Sequence, residues 1–506
     1  MHKTGARQST NSKETGVAVI ASEIPSPDIR YWIVRNKLVA LLVLVISLAA
    51  AIGLLLRDRL WATPEHVVLS LRGSTSLGDD LMPKLAAAFL RDDMGAVETG
   101  FKIAGKDAKG HPRLHVWGKV PGKARLQVIE IYATGSSAAF ECLAFDSGPN
   151  SCDIGMASRP INESDTANNP ELQNLDDRSN EHVVALDGIA IIVNPRNPVS
   201  QLSIPQLRAI YKGEIKNWKE VGGSDAPIEL FGRDRNSGTF EMFTEKVIGK
   251  DPLITPEGFA VPQDHQIADS ELMVSAVMRV PNAIGYVSSP MIQNAKALAI
   301  SDGSGPAILP TDLAIVTEEY PICRRLLLYD WDAPGSVMDA FIRYVVYKPG
   351  QALVAQTPFV ELSPRIFAVA PPKNAPEKYR EIASKCSRIG LSFHFSNERS
   401  DDDKRLDSLA RVNILRLRTF LAQHDETGND ILLIGFADGQ EGAVSGKRLA
   451  QSRAEEVAAS LRSIGVVVPS DNIMNFASAL PVASNDTEEG RRKNRRVEVW
   501  VRNRVH

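Results

Sequence analysis

Several features that would narrow the role of this sequence at once are missing. There is no surplus of charge of one sign, since 58 lysines and arginines face 61 aspartates and glutamates, a formal net charge of −3 over 506 residues. A dedicated nucleic-acid binder carries a basic surplus, so no nucleic-acid partner is expected. Only four cysteines occur (Cys142, Cys152, Cys323 and Cys386), and neither they nor the histidines fall at metal-ligand spacing. No metal and no cofactor are expected. A serine-centred nucleophile elbow and a carboxylate pair on a shared face are also lacking, which argues against an enzyme. What remains is an ordinary globular composition, 43% apolar and 24% charged with 6% aromatics. The length asks for two or three domains, each able to bury a core.

Charge and proline are absent from Leu38 to Leu56. That run is long enough for one membrane span. Arg30, Arg35 and Lys37 precede it and place the N-terminus in the cytoplasm. Residues 1–36 are polar and read as a disordered cytoplasmic tail. The leader is long and no good Ala-x-Ala site follows, so residues 37–57 are expected to be a retained transmembrane anchor rather than a cleaved signal peptide. Everything after Arg59 then lies outside the cytoplasmic membrane. The span holds no ionisable residue, which disfavours a proton-conducting role.

The chain is organised around Phe231–Phe243, Phe-Gly-Arg-Asp-Arg-Asn-Ser-Gly-Thr-Phe-Glu-Met-Phe. A β-leaning run leads into Gly232, and a helical pattern follows Thr239. Ser237, Gly238 and Thr239 at such a turn offer backbone N–H groups beside hydroxyls. Arg233 adds a planar fork suited to a tetrahedral oxyanion. Two further strand-to-helix turns are rich in hydroxyls: Ser74–Leu77 after Val67–Leu71, and Thr134–Ser137 after Val128–Tyr132. Each alone is only a capped helix. Three together suggest convergence on one ligand. Gly188–Asn194 is a buried-strand run and a candidate crossover into a second lobe. Cys142 and Cys152 flank a Gly-Pro-Asn turn, which fits either a local disulfide or two buried thiols.

Leu207-Arg-Ala-Ile-Tyr-Lys-Gly-Glu-Ile-Lys-Asn-Trp218, then Arg233 with Ser237-Gly238-Thr239, then Asn282-Ala-Ile-Gly-Tyr-Val287 resemble the phosphate-type (PstS-like) periplasmic binding proteins of ABC import systems. The resemblance runs from about Val67 to Leu362. It implies a two-lobed α/β fold over residues 60–365, phosphate or a similar oxyanion as ligand, and an ABC permease as a further partner. Carried over, the oxyanion-binding residues are Ser74, Ser76, Leu77, Ser136, Ser158, Arg233, Ser237, Gly238 and Thr239. Ser158 is a departure, because some family members place there an aspartate that accepts the proton of hydrogen phosphate. Arg159, next to it, could favour more highly charged anions.

Residues 366–385 are rich in Pro, Ala and Lys and read as a linker. After it the apolar pattern restarts as a small α/β unit, residues 386–506. Gly435-Phe-Ala-Asp438, Arg453, Pro481, Asn485, Gly490-Arg491 and Asn494-Arg-Arg-Val-Glu498 resemble the OmpA-like peptidoglycan-binding domain. The resemblance implies that Asp438 and Arg453 hold the ammonium and carboxylate of diaminopimelate, with Asn494 and Arg496 contributing. Arg453 is expected at the edge of a buried helical stripe, its side chain free to reach along the surface. The expectation is a Gram-negative inner-membrane protein, its bulk periplasmic, that binds an oxyanion and attaches to peptidoglycan. The alternatives are a tether with a degenerate ligand site and, more weakly, a phosphatase on the same cradle.

Overall fold

A computed structural model of the chain describes residues 64–506 apart from 107–109, 146–147, 149, 176–179, 235–236, 250–259, 332, 396–405, 441 and 505–506. The tail 1–36 and the span 37–57 lie outside the described residues. Among the described residues no helix is long and apolar enough to cross a membrane. Residues 65–506 make up one compact unit.

Strands β1 (Glu65–Gly73), β2 (Glu98–Lys106), β3 (Pro112–Lys119), β4 (Leu126–Ala133), β5 (Ile154–Ala157) and β6 (Glu181–Val193) come first. Short strands follow: β7 (Gln201–Ser203), β8 (Glu229–Leu230), β9 (Gly232–Arg233) and β10 (Gln266–Ile267). Next are β11 (Ala283–Ser288), β12 (Lys296–Ala297), β13 (Ala299–Ser301) and β14 (Cys323–Tyr329). One ten-stranded sheet runs β2-β3-β4-β1-β5-β14-β6-β11-β8, with β12 also beside β6. β6 is thirteen residues long, and nearly all of it is buried, as the apolar run Ile189–Val193 requires of a strand covered on both faces. It passes from a first half, cored by Leu71, Leu85, Phe89, Ile131 and Phe341, to a second, cored by Ile191, Tyr211, Trp218, Phe243 and Tyr286. β14 brings the chain back, antiparallel to β6 from Cys323 opposite Gly188 to Tyr329 opposite Glu181.

The C-terminal part is a second sheet. β15 (Ile366–Phe367), β16 (Cys386–His394), β17 (Ile431–Gly435), β18 (Ile473–Asn475) and β19 (Arg496–Arg502) take the order β15-β16-β19-β17-β18. The helices Ser408–Gln423 and Gly442–Ser463 bury Leu417, Val457 and Leu461 against Phe393 and Val499. Here the structure departs from the expected linker. Residues 366–385 hold β15, paired to β16, and a helix, Glu377–Lys385, whose Tyr379 and Ile382 pack with Phe436 and Trp500. Two apolar residues three apart between Pro376 and Cys386 are a helical signal that the surrounding Pro and Lys obscure.

This C-terminal domain is seated on both halves of the larger sheet. Arg325 on β14 pairs with Glu318 at 2.6 Å and with Asp407, the N-cap of Ser408–Gln423, at 2.7 Å. Arg416 donates to Val346 O at 2.9 Å. On the other half, Ser484 N donates to Asp302 Oδ2 at 2.8 Å and Lys493 Nζ to Tyr320 O at 3.2 Å. Breaking one partner of such buried pairs costs about 3–5 kcal/mol, although the pairs themselves contribute little net stability.

His394, 1% exposed, faces this junction, with Ser392 Oγ at 2.8 Å and Glu318 Oε2 at 3.7 Å. Burial pushes its imidazole down to about 4; Glu318 and Asp407 pull it up, and Arg492 and Arg325 push it further down. Burial alone would raise the Glu318 carboxyl, but the Arg325 guanidinium holds it well below the usual carboxylate range. A histidine whose folded pKa lies below its unfolded one is protonated first in the unfolded chain. Its contribution is complete above about pH 6.5 and is lost as pH falls toward 4. Glu318 acts in the same direction at lower pH. Chemical denaturation should therefore show a loss of about 2 kcal/mol from His394 between pH 7 and pH 5. His394→Asn should flatten that slope; an unchanged slope in the variant would exclude His394 as its source.

Candidate functional site

The three hydroxyl-rich turns meet where β1, β4 and β5 end against the start of the Gly238–Phe243 helix. Gly73 closes β1 with φ +132, and a Cβ there would lie 2.0 Å from Met156 O. Only glycine fits. Its carbonyl accepts from Thr134 N and Gly135 N at 2.8 and 2.9 Å, while Ser74 N donates to Met156 O at 2.7 Å. The first two turns are thereby fastened together. Ser76 and Ser136 stand at helix N-caps without using their hydroxyls as caps. Ser136 Oγ accepts from Ser158 N and bonds Ser158 Oγ, both at 3.0 Å. Ser74 Oγ is buried and has no hydrogen-bond partner among the described residues. Leu77 is fully buried beneath the turn.

The third turn comes from the other half. Ser237 is a conventional cap, its Oγ accepting from Phe240 N at 3.0 Å. Gly238 approaches Ser76 so closely that a Cβ would sit 2.8 Å from Ser76 Oγ. Arg233 does not present an open fork. Its Nε donates to Ile267 O at 3.2 Å, Nη2 to Ala268 O at 2.8 Å, and Nη1 to Ser270 Oγ at 3.1 Å and Thr239 Oγ1 at 3.4 Å. Burial pushes its pKa below the usual arginine range. Arg233 thus braces β9, β10 and the third turn together. Arg159, expected to add charge, is neutralised by Asp165 through bonds of 2.6 and 2.9 Å and lies over the Phe140 ring.

Two residues that the sequence pattern did not signal complete the site. Arg324 on β14 donates from Nη2 to Ser76 Oγ at 2.9 Å and to Gly238 O at 3.3 Å, so it touches both turns at once. Asp187 on β6 accepts from Arg324 Nε at 3.2 Å. Burial pushes its carboxyl above the usual carboxylate range, against the pull of Arg324. Paired strands put these two side by side, yet 137 positions separate them in sequence.

Cys142 and Cys152 are joined by a disulfide, and Cys323 and Cys386 are buried thiols.

In the C-terminal domain, Asp438 Oδ2 pairs with Arg495 at 3.0 Å and Oδ1 accepts from Gln440 N at 3.2 Å. The structure corrects the expected placement of Arg453. It is 2% exposed, donates to Phe436 O at 3.4 Å and lies 5.7 Å from the Phe395 ring, rather than running along the surface. Asn494, also buried, spends its amide on Val482 N, Ala483 and Asn485 and holds that loop in place. Arg496 is paired with Glu498 at 2.7 Å and stacked on Phe436 at 3.9 Å. Both are committed to the fold, as Arg453 is, and Asp438 follows the end of β17.

Residues 118–348 match the family model of the PBP superfamily domain, and this stretch has a mixed α/β periplasmic-binding-protein-like fold. Among individual proteins, the phosphate-binding protein PstS of Staphylococcus haemolyticus is 29% identical over 302 residues, 56% of this chain and 89% of that protein. The protein of the same name from Staphylococcus aureus is 30% identical over 210 residues, 40% of this chain and 61% of that protein. Of solved structures, an ABC-type phosphate transport receptor from Vibrio cholerae aligns with a TM-score of 0.43 at 23% identity, covering 58% of this chain and 99% of that one. PstS from Borrelia burgdorferi aligns with a TM-score of 0.42 at 20% identity, covering 59% and 99%.

The contact between Gly238 and Ser76 yields a direct test. Gly238→Ala should displace Ser76 Oγ from Arg324 and cost about 1–3 kcal/mol of stability, as overpacking does. Urea denaturation of wild type and variant measures this, and equal stabilities would show that the two turns are not in contact.

Proposed function

We propose that this chain binds phosphate, or a related oxyanion, between the two halves of its larger sheet, and that it acts as a binding protein rather than an enzyme. The observation that carries this reading is the meeting of Ser74, Ser76, Ser136 and Ser158 from one half with Arg233 and Ser237–Thr239 from the other. Relatives named for phosphate binding supply the ligand. An ABC permease as recipient accords with the Vibrio relative, described as an ABC-type phosphate transport receptor. Residues 37–57 anchor the protein in the inner membrane with its bulk in the periplasm. The C-terminal domain attaches to peptidoglycan, with Asp438 and Arg453 clamping the ammonium and carboxylate of diaminopimelate. The buried disulfide-bonded Cys142 accords with an oxidising compartment.

Isotope-labelled phosphate offered to the full-length protein in detergent micelles should bind saturably without release of product. Absence of binding would leave a membrane-to-wall tether, and turnover of a phosphate ester would mean an enzyme. For the wall site, Asp438→Ala should abolish co-sedimentation with purified peptidoglycan while the fold is kept, whereas Asn494 and Arg496 variants should fail by unfolding. A folded Asp438→Ala protein that still sediments like wild type would eliminate this clamp. For the anchor, alkaline washing should leave the protein in the membrane fraction, and recovery of a soluble form starting near residue 60 would contradict it.

A further inference from the structure

We propose that Arg324 is a second cation of the oxyanion cradle, and that with it the site takes tetrahedral dianions as a class, sulfate alongside hydrogen phosphate. This rests on the anion-binding reading above and deepens it. Arg324 is 5% exposed and reaches a place where turns of both halves meet, bonding Ser76 Oγ and Gly238 O through Nη2. Its Nη1 is buried and has no hydrogen-bond acceptor among the described residues; Glu245 Oε2 lies 3.7 Å away, on a side chain 38% exposed. Ser74 Oγ, two residues before Ser76 and 1% exposed, is likewise without a partner. A charged donor and a hydroxyl left unsatisfied are each costly to bury. A ligand with several acceptor oxygens satisfies both. Asp187 holds the Nε edge of Arg324, which orients the guanidinium and leaves Nη1 for the ligand.

The same geometry indicates the ligand's charge. Ser74–Leu77, Thr134–Ser137, Ser158 and Ser237–Thr239 contain no carboxylate, and the carboxylate that completes the site, Asp187, accepts from Arg324 Nε. Hydroxyls and guanidinium groups can donate to an oxyanion, so nothing in these turns requires the ligand to carry a proton. Selectivity between two anions needs an element that repels one of them. These turns supply attraction to both.

The test is calorimetry on the full-length protein in detergent micelles at pH 7.5, with phosphate and sulfate titrated separately. Wild type should bind both, sulfate within about tenfold of phosphate, and Arg324→Gln should weaken each at least tenfold, as loss of a charge-assisted pair does. Because Arg324→Gln leaves Asp187 buried and unpaired, Arg324→Gln/Asp187→Asn is measured beside it, with circular dichroism to verify folding. Wild-type binding of phosphate without sulfate overturns the dianion class, and that titration needs no variant. Unchanged affinity in a folded variant overturns the role of Arg324 while the phosphate reading stands. Binding of neither anion by wild type removes the phosphate reading and this inference together.

Discussion

Two consecutive arginines on β14 connect everything described above. Side chains alternate across a strand, so Arg324 and Arg325 point to opposite faces of the sheet. Arg324 goes to the turns and to Asp187; Arg325 goes to Glu318 and Asp407 and seats the C-terminal domain. A buried guanidinium needs acceptors for its N–H groups, and each of these two has a carboxylate among them. Each arginine therefore fixes a partner on another element, and the return strand becomes the member on which cradle and C-terminal domain both depend.

The seating of the C-terminal domain has a physical consequence. It touches the first half through Arg325 and Arg416 and the second through Ser484 and Lys493, and it does so with buried polar contacts. Such contacts have directional geometry and tolerate little sliding. A relative movement of the halves about β6 and β14 would have to rearrange them. Ligand capture and wall attachment, as proposed, would then share one set of contacts.

How much of this was legible in the sequence varied with distance along the chain. The hydroxyl turns were legible because a strand, a turn and a helix start are contiguous, and Ser74, Ser136 and Ser237 lie where the pattern put them. Which hydroxyls are spent locally was not legible. Ser237 caps its own helix, while Ser76 and Ser136 turn to Arg324 and Ser158. Arg159 looked available until the fold brought Asp165, six residues on, against it. Composition hid the helix Glu377–Lys385, because Pro and Lys around it outweigh its single apolar pair.

By itself the sequence determined the three strand-to-helix turns and the α/β pattern before and after residues 366–385, since these follow from local periodicity and turn chemistry. Tertiary structure alone decided the partner of each charge. Asp187 and Arg324 stand 137 positions apart, Asp438 and Arg495 57 apart, and Arg325 and Asp407 82 apart. A guanidinium is drawn to whichever carboxylate shares its low-dielectric surroundings. Those surroundings exist only once the sheets have closed.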